Sequence, residues 1–123
     1  MPATFDWRPL GDRALRLLLS TVFTVAGGMK LAAAEFEISN FERFGYANWF
    51  MYAVGIAQML GAASLWVRGY AAYGALFLAT MMAGGAVSHL RAGDPAVMAT
   101  PALVLLTLLC GLAFTRRGEL STI

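Results

Sequence analysis

The chain has 123 residues, of which 59% are hydrophobic and 13% charged, and its mean hydropathy is +0.67. Soluble domains carry about 25% charged residues, and so small a fold needs them to cover its large surface; a disordered chain would instead be poor in hydrophobic residues. The 13 glycines follow no period and Cys110 is the single cysteine, which excludes a collagen-like repeat and an internal disulfide framework and points to one small integral membrane domain over residues 1–123.

The charges divide the chain into segments. Arg8, Asp12, Arg13 and Arg16 crowd its start, and uncharged runs follow over residues 17–29, 44–67, 69–90 and 95–115. The last three exceed the roughly 20 residues that cross about 30 Å of hydrocarbon as a helix. The first becomes long enough when Arg16 and Lys30 snorkel to the headgroups. Four spans are therefore expected, over residues 14–33, 49–67, 70–90 and 97–115. A soluble helical bundle would show an apolar stripe against a polar one, whereas ALFLATMMAGGAV and ALVLLTLLCGLAF are apolar on every side. The basic start, apolar run and Ala32-x-Ala34 resemble a signal peptide, but Lys30 interrupts the run before that site, so a retained first helix is expected.

Residues 34–48 form the long connection, in which Phe36, Phe41, Phe44 and Tyr46 alternate with Glu35, Glu37, Glu42 and Arg43. Aromatic rings with polar neighbours favour the headgroup level, so a short amphipathic helix is expected in the outer interface, as an aromatic anchor or as a lid over a cavity. Val67-Arg68-Gly69 and Arg91-Ala92-Gly93-Asp94-Pro95 are tight turns that make their flanking helices antiparallel neighbours. With four spans, Arg8, Arg13, Arg16, Arg68, Arg116 and Arg117 share a side with both termini, against Lys30, Arg43 and Arg91 opposite. The positive-inside rule then predicts an inner-membrane protein with both termini cytoplasmic. No contiguous basic patch suggests a nucleic-acid partner.

Gly27, Gly28, Gly55, Gly61, Gly84 and Gly85 are expected to be helix-packing positions, because small residues let membrane helices approach closely. Polar groups inside spans are costly and hence functional candidates. The topology brings Lys30, Gln58 and His89 from three spans to the outer half, with Gln58 roughly 14 Å below Trp49 and Asp94 in the adjoining turn. Asp94 is expected to pair with Lys30, Arg91 or protonated His89. Snorkelling, helix bridging and interfacial capping explain Lys30, Gln58 and His89 singly, but the cluster suits a polar head such as a quinone carbonyl, or a proton shuttle through His89. One histidine and one cysteine make no four-ligand metal site. Cys110 is expected to be an inert thiol buried in the fourth helix.

Gly27-Gly28-Met29-Lys30-Leu31, Phe41-x-x-Phe44-Gly45-Tyr46 with Trp49, Gly55-Ile56-Ala57-Gln58-Met59-Leu60-Gly61-Ala62 and Met82-x-Gly84-x-x-x-Ser88-His89-Leu90-x-x-Gly93-Asp94, followed by Pro101, resemble in order and spacing a DoxX-like membrane protein. The likeness covers roughly residues 14–117. It implies an all-α integral membrane bundle of four transmembrane helices with a short interfacial helix between the first two. Lys30 falls on the family's lysine and His89 on its histidine. Gln58 stands where the family usually carries Glu, so a titratable group is replaced by a hydrogen-bonding one, and Ala47-Asn48 replaces a common Pro before the Trp.

Relatives of this kind include the small membrane subunit of a thiosulfate:quinone oxidoreductase and other redox partners, and more distantly cargo receptors and assembly factors. Three functions are therefore in view. The first is an accessory membrane subunit linking a redox partner to the quinone pool, with no intrinsic cofactor but a bound quinone or other lipophilic ligand. Its partners are the lipid bilayer and a protein in a membrane complex or homo-oligomer. The second is a non-catalytic scaffold or assembly factor. The third is an embedded isomerase or cyclase of a small lipophilic substrate, with His89 as general acid or base and Lys30 or Gln58 orienting the substrate.

Overall fold

Helix boundaries follow the chain's punctuation. The structure, a computed structural model, describes residues 7–121, and no strand occurs among them. Pro9 opens α1 (Arg8–Leu31) and Pro101 opens α5 (Thr100–Thr115), because proline's missing N–H is no loss in the first helical turn. Between them lie α2 (Glu35–Phe44), α3 (Asn48–Ser64) and α4 (Ala71–Arg91). Short 3-10 turns cover Ala96–Ala99, running into α5, and Arg117–Ser121.

Two glycines set the geometry of the site described below. Gly45, at φ +83°, ends α2: its amide donates to Glu42 O and the Tyr46 amide to Phe41 O. Gly93, at φ +78°, ends α4 in the same way, with the Gly93 amide on Leu90 O and the Asp94 amide on His89 O. These paired bonds are the Schellman cap, which needs a left-handed residue that glycine supplies without steric cost. The cap folds Tyr46 and Asp94 back over the helices they follow.

The bundle is built from two close pairs, α1 with α3 and α4 with α5, which meet less extensively with each other. Inside the first pair, a Cβ on Gly27 would stand 2.6 Å from Gly55 O, and one on Gly55 would stand 2.9 Å from Lys30 Cβ. Where the pairs meet, a Cβ on Gly61 would stand 2.6 Å from Leu78 Cδ2, and one on Gly74 would collide with Ser64 Oγ. Gly28, Gly84 and Gly85 correct the expectation of close packing, since a Cβ at each would meet nothing within 4 Å.

The core occupies the end of the bundle that carries the termini. Leu19, Phe23, Leu65, Leu78, Leu109 and Leu112 are fully buried there. A polar plate covers it: Arg116 Nε and Nη2 donate to Asp12 at 2.9 Å each, Arg16 binds the same carboxylate at 2.8 Å, and Glu119 accepts the Ala72 amide at the start of α4. Outward, Leu17, Val25, Ile56, Leu60, Leu103 and Phe114 are exposed, as suits helices packed in lipid. Cys110 is exposed on α5 rather than buried, because Leu109, Leu112 and Ala113 form the buried face of that helix.

Three helical segments, Arg8–Leu31, Ala71–Arg91 and Ala96–Thr115, are long and apolar enough to cross a membrane. The expected second span is shorter than its uncharged run. At 17 residues α3 is about 25 Å long, and it stops at Ser64, not near residue 67. The amides of Leu65, Trp66 and Val67 bond three residues back instead of four, while Arg16 takes the Leu65 carbonyl and Trp66 Nε1 donates to Ser20. These partners unwind the last turn of the run.

Gly27→Val should lower stability in detergent by about 1–3 kcal/mol, the usual cost of overpacking against an atom that cannot move, and Gly28→Ala should raise it by about 0.5–1 kcal/mol. Thermal unfolding followed by tryptophan fluorescence checks both signs.

Candidate functional site

At the end opposite the core, the two helix pairs diverge around a partly open cavity of about 890 Å3 to which all five α-helices contribute. That volume lies within the roughly 300–1,000 Å3 of small-molecule sites. Its walls are mostly apolar, with a few convergent polar side chains: Lys30, Glu37, Asn40, Tyr46, Gln58, Ser88 and His89. The sequence-predicted residues Lys30, Gln58 and His89 thus line one cavity, with Asp94 directly behind His89.

Lys30 is held in place by packing and by charge. Its Cβ lies against Gly55, and its Nζ donates to Glu37 Oε2 at 3.1 Å, both side chains being buried. A buried ion needs a partner at close range, and α2 supplies it. The expected partner, Asp94, is engaged elsewhere. The polar residues of α2 are divided, with Glu35, Ser39, Glu42 and Arg43 exposed. Glu37, Asn40 and Phe41 share the buried face at helical spacing, while Phe36 is 62% exposed. This helix covers the cavity as a lid with Glu37 and Asn40 turned inward.

Glu37, Asn40, Tyr46 and Ser88 are the site residues that reading the sequence misses. A signal for Glu37 was present: a membrane lysine seven residues before a carboxylate, across a tight turn.

The lid is clasped to the end of α4. Ser88 Oγ donates to Gly84 O at 2.8 Å, so Tyr46 O–H is the donor in its 2.7 Å bond to Ser88 Oγ. Arg91 donates to Phe44 O at 3.0 Å, capping α2, and its guanidinium lies over the Tyr46 ring. Arg43 grips Asp94 with two bonds, Nη2 to Oδ2 at 2.8 Å and Nε to Oδ1 at 3.3 Å. The hydrogen bond from Arg43, then that from His89, holds the Asp94 carboxyl below the usual carboxylate range. An ionised Asp94 can only accept, so His89 Nδ1, 2.8 Å from Oδ2, carries the hydrogen. His89 Nε2 then keeps its lone pair while the ring is neutral, in the orientation expected of an acid–base group. The His89 ring stands edge-on to Phe44 at 5.0 Å.

Gln58 differs from all of these. It is 3% exposed, lines the cavity, and its Oε1 has no hydrogen-bond partner. An orphaned buried acceptor costs about 1–3 kcal/mol, so such an atom calls for an explanation. No group of three or more His, Cys, Asp or Glu side chains suited to a metal occurs among the described residues.

A helical chain with membrane-crossing segments, around a lidded apolar cavity, defines a small multi-pass membrane protein. The chain belongs to the DoxX-like family, which it matches over residues 14–111. It is similar to the uncharacterized protein YdgD of Bacillus subtilis (strain 168), at 35% identity over 92 residues, covering 69% of this chain and 80% of that protein. No solved structure matches it.

Removing one member of the buried ion pair should be far worse than removing both. Lys30→Met should cost about 3–5 kcal/mol by stranding Glu37, and Lys30→Met with Glu37→Leu should recover most of that loss, as read from unfolding in detergent. The Asp94 clasp sets a pH dependence. With its folded pKa held below the ordinary carboxylate value, this carboxylate adds stability at higher pH that is lost as pH falls through the folded value. Melting temperatures of wild type and Asp94→Asn should therefore converge below about pH 4.

Proposed function

We propose that the protein is a membrane-embedded binding subunit for a lipophilic molecule with a small, neutral, hydrogen-bonding head, a class that includes quinones, and that it serves a redox partner as an accessory subunit. The buried Gln58 side chain in the cavity wall, whose amide oxygen has no hydrogen-bond partner, carries the ligand assignment. Rotating the amide presents Nε2 in its place, so one residue serves a quinol hydroxyl or a quinone carbonyl. Neutrality follows from Lys30, whose charge is already matched by Glu37 and is not free for a phosphate or carboxylate. The accessory role rests on the family resemblance, and the redox centre belongs to the partner.

In this reading α3 is the fourth, short span, and the lid faces away from the cytoplasm of an inner-membrane protein. The six arginines at the termini end against three basic residues at the lid end support that orientation.

A second reading, an embedded isomerase or cyclase, is favoured by one observation. His89, backed by Asp94 at 2.8 Å, and Lys30 line the same cavity. It predicts that lipids extracted from wild type contain a rearranged product absent from His89→Gln, as read by mass spectrometry.

The binding reading is tested with purified protein in nanodiscs and a benzoquinone bearing a decyl chain, titrated by tryptophan quenching. Wild type should bind saturably. Gln58→Leu should weaken binding about 3–10-fold, the worth of one neutral hydrogen bond, without lowering the melting temperature. Equal affinity in the two proteins would sink the assignment, and native purification that yields no redox protein would remove the accessory role.

A further inference from the structure

The walls of the cavity are not equally closed. On α3, Phe50, Ala53, Ala57 and Gly61 form one stripe at spacings of three and four, and Gly61 is where α4 makes contact through Leu78. On α4, Phe77, Met81, Gly84 and Ser88 form the neighbouring stripe. Gly61 against Leu78 shuts this seam at the core end, and the Tyr46–Ser88 bond shuts it at the lid end. The distance from Leu78 to Ser88 along α4 is about 15 Å. Between those closures Phe50, Ala53, Phe77 and Gly84 each line the cavity and are each exposed. Exposed lining on both facing stripes marks a gap between them. Across the bundle, on α1 and α5, the lining residues Val22, Ala26, Ala102 and Leu105 are half-buried; the other exposed lining residues, Phe36, Val97, Met98 and Pro101, belong to the lid and to the entry into α5.

We infer that the gap between the lid-end halves of α3 and α4 is a lateral window, and that the ligand is a lipophile whose apolar chain lies in this window while its neutral head reaches Gln58. The inference rests on the binding function proposed above and adds the route and the tail. Two observations beyond the small residues support it. Gln58, 3% exposed and unpartnered, lies on α3 beside Ala57 and lines the same cavity. The lid mouth is held by Lys30–Glu37, Arg43–Asp94 and Tyr46–Ser88, whereas a molecule dissolved in lipid reaches the window without breaking any of the three. At Gly84 a Cβ would meet nothing within 4 Å, so its smallness leaves open space beside the cavity.

The test uses the whole protein in nanodiscs and two probes with one head, 2,3-dimethoxy-5-methyl-1,4-benzoquinone with a decyl chain and the same quinone without it, with affinities expressed per concentration in the bilayer. Gly84→Phe and Ala53→Trp fill the window. Gly111→Phe, whose site is equally open but lies on α5 away from the cavity, is the control. Wild type should bind the decyl probe more tightly. Both window variants should weaken it at least tenfold and leave the chainless probe within twofold, and Gly111→Phe should change neither. Wild type that binds the probes alike, or window variants that weaken both or neither, would overturn the window while leaving head recognition by Gln58 standing. Wild type that binds neither probe would overturn the binding function itself, and the window with it.

Discussion

A lysine inside an apolar bundle must be neutralised at close range, and the arrangement of the lid end follows from that need. Gly27 and Gly55 bring α1 and α3 so close that the Lys30 side chain begins between them. Its ammonium stays in the cavity wall, where a carboxylate meets it. Glu37 does so only because α2 turns back over the bundle and presents Glu37 and Asn40 inward. The ion pair thus determines which face of α2 is the inside and makes a short amphipathic helix into a cover. It also matches the charge of Lys30 within the cavity wall, which is the basis for proposing a neutral head group.

The two ends of the molecule divide the work. Near the termini, leucines, Phe23 and the Asp12–Arg116–Glu119 plate bind the helix pairs together. At the other end the pairs part, and polar side chains take up the space where core would otherwise be. Stability concentrated at one end permits an incompletely satisfied site at the other.

The sequence was informative about the fold where the physics is local or collective. Uncharged runs and the turn at Gly93 and Pro95 after α4 read directly as helices and their ends. The end of α3 did not, since Leu65 and Trp66 are apolar enough to continue it, yet their carbonyl and indole turn to Arg16 and Ser20 of another helix. For the site, Lys30, Gln58 and His89 stood out as polar groups in apolar runs. Glu37, Asn40, Tyr46 and Ser88 did not, because in a mixed polar and aromatic connection nothing local says which side faces inward. Gly84 and Gly85 looked like packing positions for the same reason: a glycine lets a helix come close or leaves a gap, and its own letter does not say which.

The low share of charge, met first as a sign of membrane residence, by itself determined the class, the approximate helices and which few polar residues had no boundary role. It could do so because the cost of a charge in hydrocarbon depends on the medium more than on the neighbours. Pairing was decided only by the tertiary structure. Asp94 joined Arg43 and His89, Glu37 joined Lys30, and Gln58 was left without a partner. Hydrogen bonds and buried ion pairs act over about 3 Å, a range that the helix packing sets and the order of residues along the chain does not.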